Sequence, residues 1–478
     1  MARPQNFLSR TGPGCYRKGE KMSTKPSLQK MGIVVAFANL MMGFSLTMSQ
    51  NYATYSYTDL AKVDATTMSV CMTTVNVIAV IVTLISGAIV SSTRSRFGNF
   101  RPWLVGASAV CMAGGFLIFF NIGNSVILKA VIISIGYLLA NSTMDFIYTA
   151  KAALLGKIAG ADSAGRDFLV GRQWQGSAIC YVISGFAVVP LVALLGSGNE
   201  TLGFLLTQLI FTIIVMAGAF WMFKASAQYD PDNSDEAAVN AEKVKFSEML
   251  KAVVTNRQAL TVVLCDIVRF TGYYCLFSMM VYQCTKVIGD MMAMSYVLSA
   301  SNFCSFLGAS IAPSLAQKIG GRKRTVALFG LLTGLSFASI GLLGKSMWGF
   351  VVSCSLAFFF MSFIDTLDMM LYMDAGEYWL HKTGKDTRPY LISMYNVAVK
   401  VALALSSVAL GVILNAIHYN PDAMLDAAGS ATLTWCTALA PAIGYLLPLA
   451  IMLFHKVSDK EMTQIIKENA QKYDTATK

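Results

Sequence analysis

The stretch Ile89–Val105 reads IVSSTRSRFGNFRPWLV and places three arginines, Arg94, Arg96 and Arg101, between two nearly uncharged segments. Apolar runs of about 20 residues, the length needed to cross the hydrocarbon of a bilayer, lie on both sides of it. A charged interruption between two such runs is typical of a loop at a membrane surface. The stretch therefore predicts that the chain leaves the bilayer here and turns back into it.

The composition of the whole chain agrees with a membrane protein. Its 478 residues are 55% hydrophobic and only 13% charged, with a mean hydropathy of +0.57. A soluble globule of this size needs more polar surface than that. Because lipid offers no partner for unpaired backbone groups, long apolar runs are helices, and the predicted fold class is an all-α membrane protein. Twelve transmembrane helices are predicted, at about 31–50, 67–91, 103–121, 126–150, 173–195, 202–223, 259–283, 293–316, 325–344, 347–372, 391–414 and 432–454.

The basic residues predict the orientation of these spans. Of the 37 lysines and arginines, 31 fall in segments on the side that holds the N-terminus and the stretch 89–105, and two fall within spans. The positive-inside rule assigns that side, and with it both termini, to the cytoplasm. No nucleic-acid partner is expected, because basic residues that bind a polyanion cluster on one folded face. The other side holds only four basic residues, Lys62, Lys129, Lys286 and Lys345.

A long polar segment divides the twelve spans into two sets of six. A glycine followed by arginine occurs after the second span of each set, in Arg96–Arg101 and again in 318–324. Two sets of six spans joined by a polar segment are typical of a transporter built from repeated halves. The predicted units are a cytoplasmic tail (1–30), an N-terminal six-helix bundle (31–223), a cytoplasmic linker (224–258), a C-terminal six-helix bundle (259–454) and a second cytoplasmic tail (455–478).

The sequence TRSRFGNFRPW at Thr93–Trp103 resembles the T-R-S-R-W-G-x-F-[KR]-P-W signature of the glycoside-pentoside-hexuronide:cation symporters, the melibiose permease relatives within the major facilitator superfamily. The resemblance extends over nearly the whole chain from span 1 to span 12. Shorter matches are YTD at 57–59, MDF at 144–146, GR at 171–172, DAGEY at 374–378 and the lysine at 400.

This resemblance implies the major facilitator fold, with two six-helix bundles in a bacterial inner (cytoplasmic) membrane. It implies secondary active transport, in which a sugar or glycoside crosses the bilayer with a cation while the two bundles alternate access. It also implies a central site in which spans 4, 5 and 11 present an aspartate, an arginine and a lysine, here Asp145, Arg172 and Lys400.

The first two spans depart from the family pattern. Sodium-linked members carry two acidic residues in span 2 that bind the coupling cation, and the corresponding positions here are Ala79 and Thr83. The sugar-binding aspartate of span 1 corresponds to Gly43. Because a sodium site normally needs several oxygen ligands with negative charge nearby, we predict that the coupling cation is a proton rather than sodium. Transport without any coupling ion stays open, and no metal site is predicted.

Ionisable side chains inside spans indicate where a solute is bound. Such a group costs at least about 2.5 kcal/mol on insertion scales and therefore usually faces the interior of the bundle. Tyr148 is one turn from Asp145, and aromatic rings stack on flat ligands. Arg172 opens span 5, where anchoring at the membrane interface is the alternative to binding. The predicted substrate-binding residues are Asp145, Tyr148, Arg172, Trp174 and Lys400.

A second group of charges is predicted to take part in coupling or gating. Asp266 and Arg269 lie three residues apart in span 7 and so share one helix face, as a structural pair or as a functional one. Asp365 and Asp368 repeat this spacing in span 10 and are expected to meet basic loops rather than substrate. The predicted coupling or gating residues are Asp145, Asp266, Arg269, Arg94, Arg96 and Arg101.

Enzymatic activity is not expected. The three histidines lie in loops or near span ends without metal-ligand spacing, and neither a phosphate-binding loop of ATPases nor a nucleophile elbow is present. No catalytic residue and no cofactor are therefore predicted. The leading hypothesis is a monomeric symporter that imports a glycoside, hexuronide or related small organic solute. The alternatives are a facilitator or symporter for a non-sugar organic anion, and a non-transporting membrane sensor with the same fold.

Overall fold

The computed structural model describes residues 26–121, 125–160, 163–232, 251, 253–319, 322–384 and 388–452, with 461–462, 464–465 and 468–469. These residues are almost entirely helical, and no β-strand occurs among them. The twelve long helices are α1 (Pro26–Tyr55), α2 (Ala65–Ser92), α3 (Arg101–Phe119), α4 (Val126–Ala159), α5 (Ser163–Gly196), α6 (Glu200–Ala225), α7 (Arg257–Tyr282), α8 (Met292–Ile319), α9 (Arg322–Ala338), α10 (Met347–Thr383), α11 (Arg388–Ala416) and α12 (Ala427–Ile451).

Eleven helical stretches of the described chain are long and apolar enough to cross a membrane. The predicted all-α fold class is therefore confirmed. Short π-helical segments, Ser56–Leu60 and Gln283–Ile288, extend α1 and α7, and a single turn, Ile340–Leu343, follows α9. The predicted linker and both predicted tails lie largely outside the described residues, as do Gly320 and Gly321 of the stretch after the eighth span.

Several helices begin at a residue whose side chain accepts a hydrogen bond from the first turn. Asp64 accepts from Thr67 N–H at 2.8 Å before α2, and Asn256 accepts from Gln258 N–H at 3.1 Å before α7. Short polar side chains at this position satisfy backbone donors that lack a partner within the helix. They fix where each of these helices begins.

Helices from the same half pack together, and a few helix pairs join the halves. In the first half α1 packs against α5 and α6, while α3 packs against α4; in the second half α7 packs against α11 and α12, while α8 packs against α10. The halves meet where α2 contacts α11 and where α5 contacts α8. Gly114 of α3 faces Gly136 of α4 so closely that a β-carbon on Gly114 would lie 2.7 Å from the Gly136 carbonyl oxygen. Glycine supplies the close approach on which membrane helix packing depends.

Two helices continue well past the predicted C-terminal ends of their spans. Helix α4 continues to Ala159 and α10 to Thr383, although the sequence predicted ends near residues 150 and 372. Backbone hydrogen bonding does not stop at the membrane surface, so hydropathy marks the end of the apolar run rather than the end of the helix. One consequence is a correction: Lys151, predicted to lie in a loop, is inside α4 and buried.

Candidate functional site

The α2–α3 loop closes around one carboxylate, which belongs to the segment after α6. Asp230 has no exposed surface and accepts hydrogen bonds from the backbone N–H groups of Asn99, Phe100 and Arg101 at 3.2, 2.8 and 3.1 Å. Lys157, near the end of α4, places its Nζ 2.7 Å from the same carboxylate. Asp230 therefore ties three parts of the first half together at the arginine-loop end, the end of the molecule that bears residues 93–101.

Asp230 also explains why this loop needs a glycine. Gly98 has a φ of +90°, and a β-carbon at that position would overlap the carboxyl group of Asp230. Glycine adopts this backbone conformation without a steric penalty. The chain turns tightly at Gly98, and a carboxylate more than 100 residues further along the chain provides the physical reason for glycine there.

The three arginines of the loop make different contacts. Arg101 is buried, donates from Nε to the carbonyl of Phe223 at 2.8 Å, and lies 4.2 Å from the centre of the Phe223 ring. Arg96 lies 4.7 Å from the centre of the Phe97 ring, and Arg94 donates to the carbonyl of the preceding residue at 3.0 Å. Their part in gating stays a prediction.

Asp230→Asn is expected to lower the stability of the protein by about 2–4 kcal/mol. An amide cannot accept on both sides, so its NH₂ group faces donors that now bind a carboxylate, and charge-assisted hydrogen bonds are worth roughly 1.5–3 kcal/mol each. The melting temperature of the detergent-solubilised protein measures the effect. The matched control is Asp422→Asn, because Asp422 pairs with Lys62 at the surface and its side chain is 73% exposed. Exposed pairs contribute at most about 1 kcal/mol, so equal losses for the two variants would contradict the assignment.

The pH dependence of this contribution has a definite sign. Burial by itself raises the pKa of Asp230, but hydrogen bonds from Lys157 and the loop backbone outweigh it and hold the pKa below its ordinary value. A lowered folded-state pKa gives stability that is complete above the unfolded value of about 3.9 and is lost as pH falls through the folded value. The difference in melting temperature between wild type and Asp230→Asn should therefore be constant near neutral pH and shrink in strong acid.

An ion pair links the two halves in the middle of the molecule. Lys400 of α11 lies 3.3 Å from Asp145 of α4, and their side chains are 10% and 15% exposed. Thr83 of α2 donates its hydroxyl to the same carboxylate oxygen at 2.7 Å, and Lys400 also donates to the carbonyl of Asn141 at 3.4 Å. The resemblance implies a cation-binding carboxylate at the position of Thr83. In this chain the positive charge beside Asp145 is the ammonium group of Lys400.

The other predicted substrate-binding residues, Tyr148, Arg172 and Trp174, differ in where they lie relative to Asp145. Tyr148 is 41% exposed and shares the helix face of Asp145, three residues earlier. Arg172 lies 3.1 Å from Gln175 and stacks on a phenylalanine ring, and Trp174 is 63% exposed. Within the described residues, neither Arg172 nor Trp174 forms a hydrogen bond or ion pair with Asp145. Their roles in binding stay predictions.

A second group of charges lies deep in the second half. Arg269 of α7 lies 3.2 Å from Asp266 and 2.5 Å from Asp365, and it also contacts Asp368. Tyr372 donates to Asp266 at 2.7 Å. We call these five residues the Arg269 cluster. The Asp266–Arg269 pair expected from the sequence is present. The expectation that Asp365 and Asp368 meet basic loops is wrong, because α10 lies beside α7 and brings both carboxylates to the guanidinium.

The Arg269 cluster has three carboxylates for one guanidinium. Asp266, Arg269 and Asp368 are almost fully buried, whereas the side chain of Asp365 is 45% exposed. A cavity of about 30 Å³ borders the buried members, enough for a water molecule. Asp266 and Asp368 both contact the same nitrogen of Arg269, so two carboxyl groups lie side by side on one guanidinium.

The end of the molecule opposite the arginine loop is closed by contacts between the halves. Tyr419 donates to both carboxylate oxygens of Asp59, at 2.8 and 2.7 Å, and Lys286 lies 3.7 Å from Asp59. The hydroxyl groups of Thr58 and Tyr282 are 2.9 Å apart. Asp59 and Thr58 belong to the first half and the other three residues to the second, so this network holds the two halves together at that end.

Sequence reasoning missed the buried state of Lys151. Its ammonium group donates to Asn39 of α1 at 2.8 Å and lies 5.0 Å from the centre of the Tyr148 ring. A signal was available, because the segment Phe146–Leu155 contains neither glycine nor proline and is apolar apart from Thr149 and Lys151. These residues predict a helix that continues past residue 150.

The twelve long helices of the described residues form two sets, which a buried ion pair joins in the middle and further contacts close at one end. This is the architecture of a secondary transporter. A comparison with protein families gives the same assignment. The family described as MFS/sugar transport protein matches residues 34–459, and the chain belongs to this family. The resemblance to the glycoside symporters of the major facilitator superfamily is confirmed. The chain is a membrane transporter and not an enzyme.

Individual relatives are distant but extend over most of the chain. It is 26% identical over 437 residues to an uncharacterized symporter, YjmB, of Bacillus subtilis strain 168, covering 90% of this chain and 93% of that protein. It is 22% identical over 404 residues to a putative sulfoquinovose importer of Salmonella typhimurium, covering 82% of each. Among solved structures, a bacterial homologue of the human lysosomal transporter Spinster matches with a TM-score of 0.59 and 12% identity, over 93% of this chain and 98% of that one.

The family assignment sets a coarse function. The chain is a transporter of the MFS/sugar transport family, and its relatives include a protein named as a symporter. It is a multi-pass membrane protein.

Proposed function

We propose that the chain is a symporter of the bacterial cytoplasmic membrane that imports a glycoside, a hexuronide or a related small organic solute together with a proton. The observation that carries this proposal is the Asp145–Lys400 ion pair between α4 and α11. A polar solute that hydrogen-bonds to Asp145 competes directly with Lys400. Binding of the solute thereby changes a contact between the two halves, which is what alternating access requires.

Proton coupling is supported by the placement of acidic groups. Lys400 already neutralises Asp145, so a sodium ion at that carboxylate would meet a positive charge 3.3 Å from its ligand. The Arg269 cluster has two more carboxylates than guanidinium groups, and one of them, Asp365, is exposed enough to exchange protons with water. Protonation of this cluster reduces its charge, whereas sodium would have to lose its water shell to enter.

The orientation proposed for the transporter follows the distribution of basic residues. The arginine-loop end and both termini face the cytoplasm, and the end closed around Asp59 faces outside. A single chain contains both halves, and the proposed functional unit is a monomer in the lipid bilayer. In the state described, the solute site is sealed from the outside by the contacts of Asp59 with Tyr419 and Lys286.

The direct test is uptake of labelled solutes into proteoliposomes under imposed gradients. A thermal-shift panel of sugars, glucuronides and organic acids selects the solute. An inside-alkaline pH gradient is expected to drive accumulation in the absence of sodium. Accumulation driven by sodium with no response to pH would contradict proton coupling. A complete lack of counterflow with every solute of the panel would contradict transport. The remaining hypothesis would then be a non-transporting membrane sensor.

A further inference from the structure

Asp365 is the most open carboxylate of the Arg269 cluster. Its side chain is 45% exposed, whereas the side chains of Asp266 and Asp368 are 3% and 6% exposed. Asp365 also stands at the middle of α10, far from both ends of the helix. Its open surface therefore borders either a space between the helices or the lipid around them.

The exposed apolar residues of α10 indicate which side of this helix faces lipid. Val352 and Leu356 are 59% and 46% exposed. They precede Asp365 by 13 and 9 residues, and at 3.6 residues per turn both lie within about 40° of the side opposite Asp365. Asp365 itself contacts Arg269 of the neighbouring helix α7. Its open surface therefore faces the space between the helices and not the lipid.

Asp365 of the second half and Asp145 of the first half lie at the same depth. Helices α4 and α10 both start at the end closed around Asp59. Asp145 comes 19 residues after the first residue of α4, and Asp365 comes 18 residues after the first residue of α10. At 1.5 Å per residue these positions are about 28 and 27 Å along their helices. The two carboxylates are therefore level with each other.

A tyrosine of α7 connects the surroundings of the two carboxylates. Tyr274 lies within the range of electrostatic interaction of both Tyr148 and Asp365. Tyr148 is 41% exposed and shares the helix face of Asp145. We infer from these neighbours that the open surfaces of Tyr148 and Asp365 border one shared space between the halves.

Each of the two carboxylates has one oxygen held by protein and one oxygen free. Oδ2 of Asp145 accepts from Thr83 at 2.7 Å and lies 3.3 Å from Lys400. Oδ1 of Asp365 accepts from Arg269 at 2.5 Å. Within the part of the chain that the structure describes, neither Oδ1 of Asp145 nor Oδ2 of Asp365 accepts a hydrogen bond. An ionised carboxylate accepts at both oxygens, so each residue can still bind a hydroxyl group.

The charge balance of the Arg269 cluster does not explain Asp365. Asp266 and Asp368 already exceed the single positive charge of Arg269. A further carboxylate in the middle of a span is costly, and such residues usually serve a solute or ion pathway. Asp365 is therefore better explained by a ligand than by its contact with Arg269.

We propose that Asp365 binds the transported solute from the second half, and that its free oxygen accepts a hydroxyl group of the same solute that Asp145 holds from the first half. The inference rests on the proposed function, since it assumes a hydroxyl-bearing solute at Asp145. It adds a binding residue that the sequence assigned neither to the solute nor to coupling. Because the other oxygen of Asp365 contacts Arg269, this residue links the solute directly to the Arg269 cluster.

The placement of Asp365 is tested with single cysteines introduced into the full-length protein in lipid nanodiscs. The probe is trimethylammonioethyl methanethiosulfonate, a permanently charged thiol reagent, and labelling is measured above that of wild type. Asp365→Cys is expected to react at least about 10-fold faster than Leu356→Cys, because a charged reagent does not enter lipid. Equal rates, or faster labelling of Leu356→Cys, would overturn the proposal.

The binding role is tested with D-glucose, D-galactose, D-xylose and their methyl β-glycosides. Asp365→Asn is expected to weaken the tightest of these sugars by about 10- to 100-fold, the loss of one charge-assisted hydrogen bond. Its melting temperature without ligand should stay near that of wild type, because Asp266 and Asp368 still neutralise Arg269. The control is Asp426→Asn: Asp426 accepts from Gly429 N–H at 2.7 Å before α12, which asparagine also does, so sugar affinity should not change.

Monodeoxy analogues of the tightest sugar separate a direct contact from an indirect effect. One analogue is expected to bind wild type about 10-fold more weakly than the parent sugar, yet bind Asp365→Asn about as well as the parent sugar does. Wild-type affinity in Asp365→Asn, or an unchanged affinity ratio for every analogue, would overturn the role of Asp365. Failure of all these sugars to bind would overturn it too. Counterflow of any solute of the thermal-shift panel would leave the proposed transport function intact in each of these cases.

Discussion

Asp145→Asn is expected to abolish transport, with initial uptake and counterflow both falling by more than about 100-fold. The substitution leaves Lys400, whose side chain is 10% exposed, without its counter-ion. Removing one partner of a buried pair costs about 3–5 kcal/mol, and about 3 kcal/mol already corresponds to more than a hundredfold change in an equilibrium. The amide also offers the solute a weaker acceptor than the carboxylate does. Both rates are measured in proteoliposomes with the solute selected by the thermal-shift panel.

Loss of folding is the competing explanation for an inactive Asp145→Asn protein, and a double variant resolves it. Asp145→Asn combined with Lys400→Met removes both charges and should recover the melting temperature without recovering transport. Asp145→Glu keeps the charge and should retain measurable counterflow. Counterflow by the Asp145→Asn protein at the wild-type rate would show that this carboxylate does not bind the solute. The proposed site would then lose its central residue.

Asp368→Asn is expected to separate solute movement from proton coupling. With one proton per solute, a gradient of one pH unit supports about tenfold accumulation, because one unit is equivalent to about 1.36 kcal/mol. The variant cannot change its charge at this position, so we expect the accumulation ratio to fall to about 1 while counterflow continues. Asparagine keeps an oxygen that accepts from Arg269, and Asp266 and Asp365 still neutralise the guanidinium. The fold is therefore expected to persist.

The control for this experiment is a carboxylate of the same half outside the Arg269 cluster. Asp290 lies between α7 and α8, where it accepts from the backbone N–H of Met292 at 2.8 Å, a role that asparagine also performs. Asp290→Asn should accumulate the solute as wild type does. Tenfold accumulation by Asp368→Asn would show that another group carries the proton, with Asp266, Asp365 and Asp145 as the remaining candidates.

The hydropathy pattern along the sequence was sufficient to predict the fold class. Each apolar run is long enough to cross a bilayer by itself, and lipid forbids unpaired backbone groups, so twelve spans follow from hydropathy without knowledge of any contact. The hydropathy pattern predicted some helix ends wrongly. Helix α4 continues beyond residue 150, and Lys151 was predicted to lie in a loop because the end of this helix was placed too early. The family resemblance then indicated Asp145 and Lys400 as site residues, but not that they touch.

The contacts between charges were decided by the tertiary structure. Asp230 lies against the turn at Gly98, although the two residues are more than 100 positions apart in the chain. Arg269 contacts Asp365 and Asp368, which lie about 100 positions further along the chain. A charged side chain inside a span is stable only with a partner or a ligand, so the sequence shows which positions need one. The sequence does not show which residue is the partner, because that depends on how helices far apart in the chain pack side by side. The sequence determined that Asp145, Lys151, Arg269 and Lys400 are in or near the membrane; helix packing decided that three of them have carboxylate or ammonium partners and that Lys151 does not.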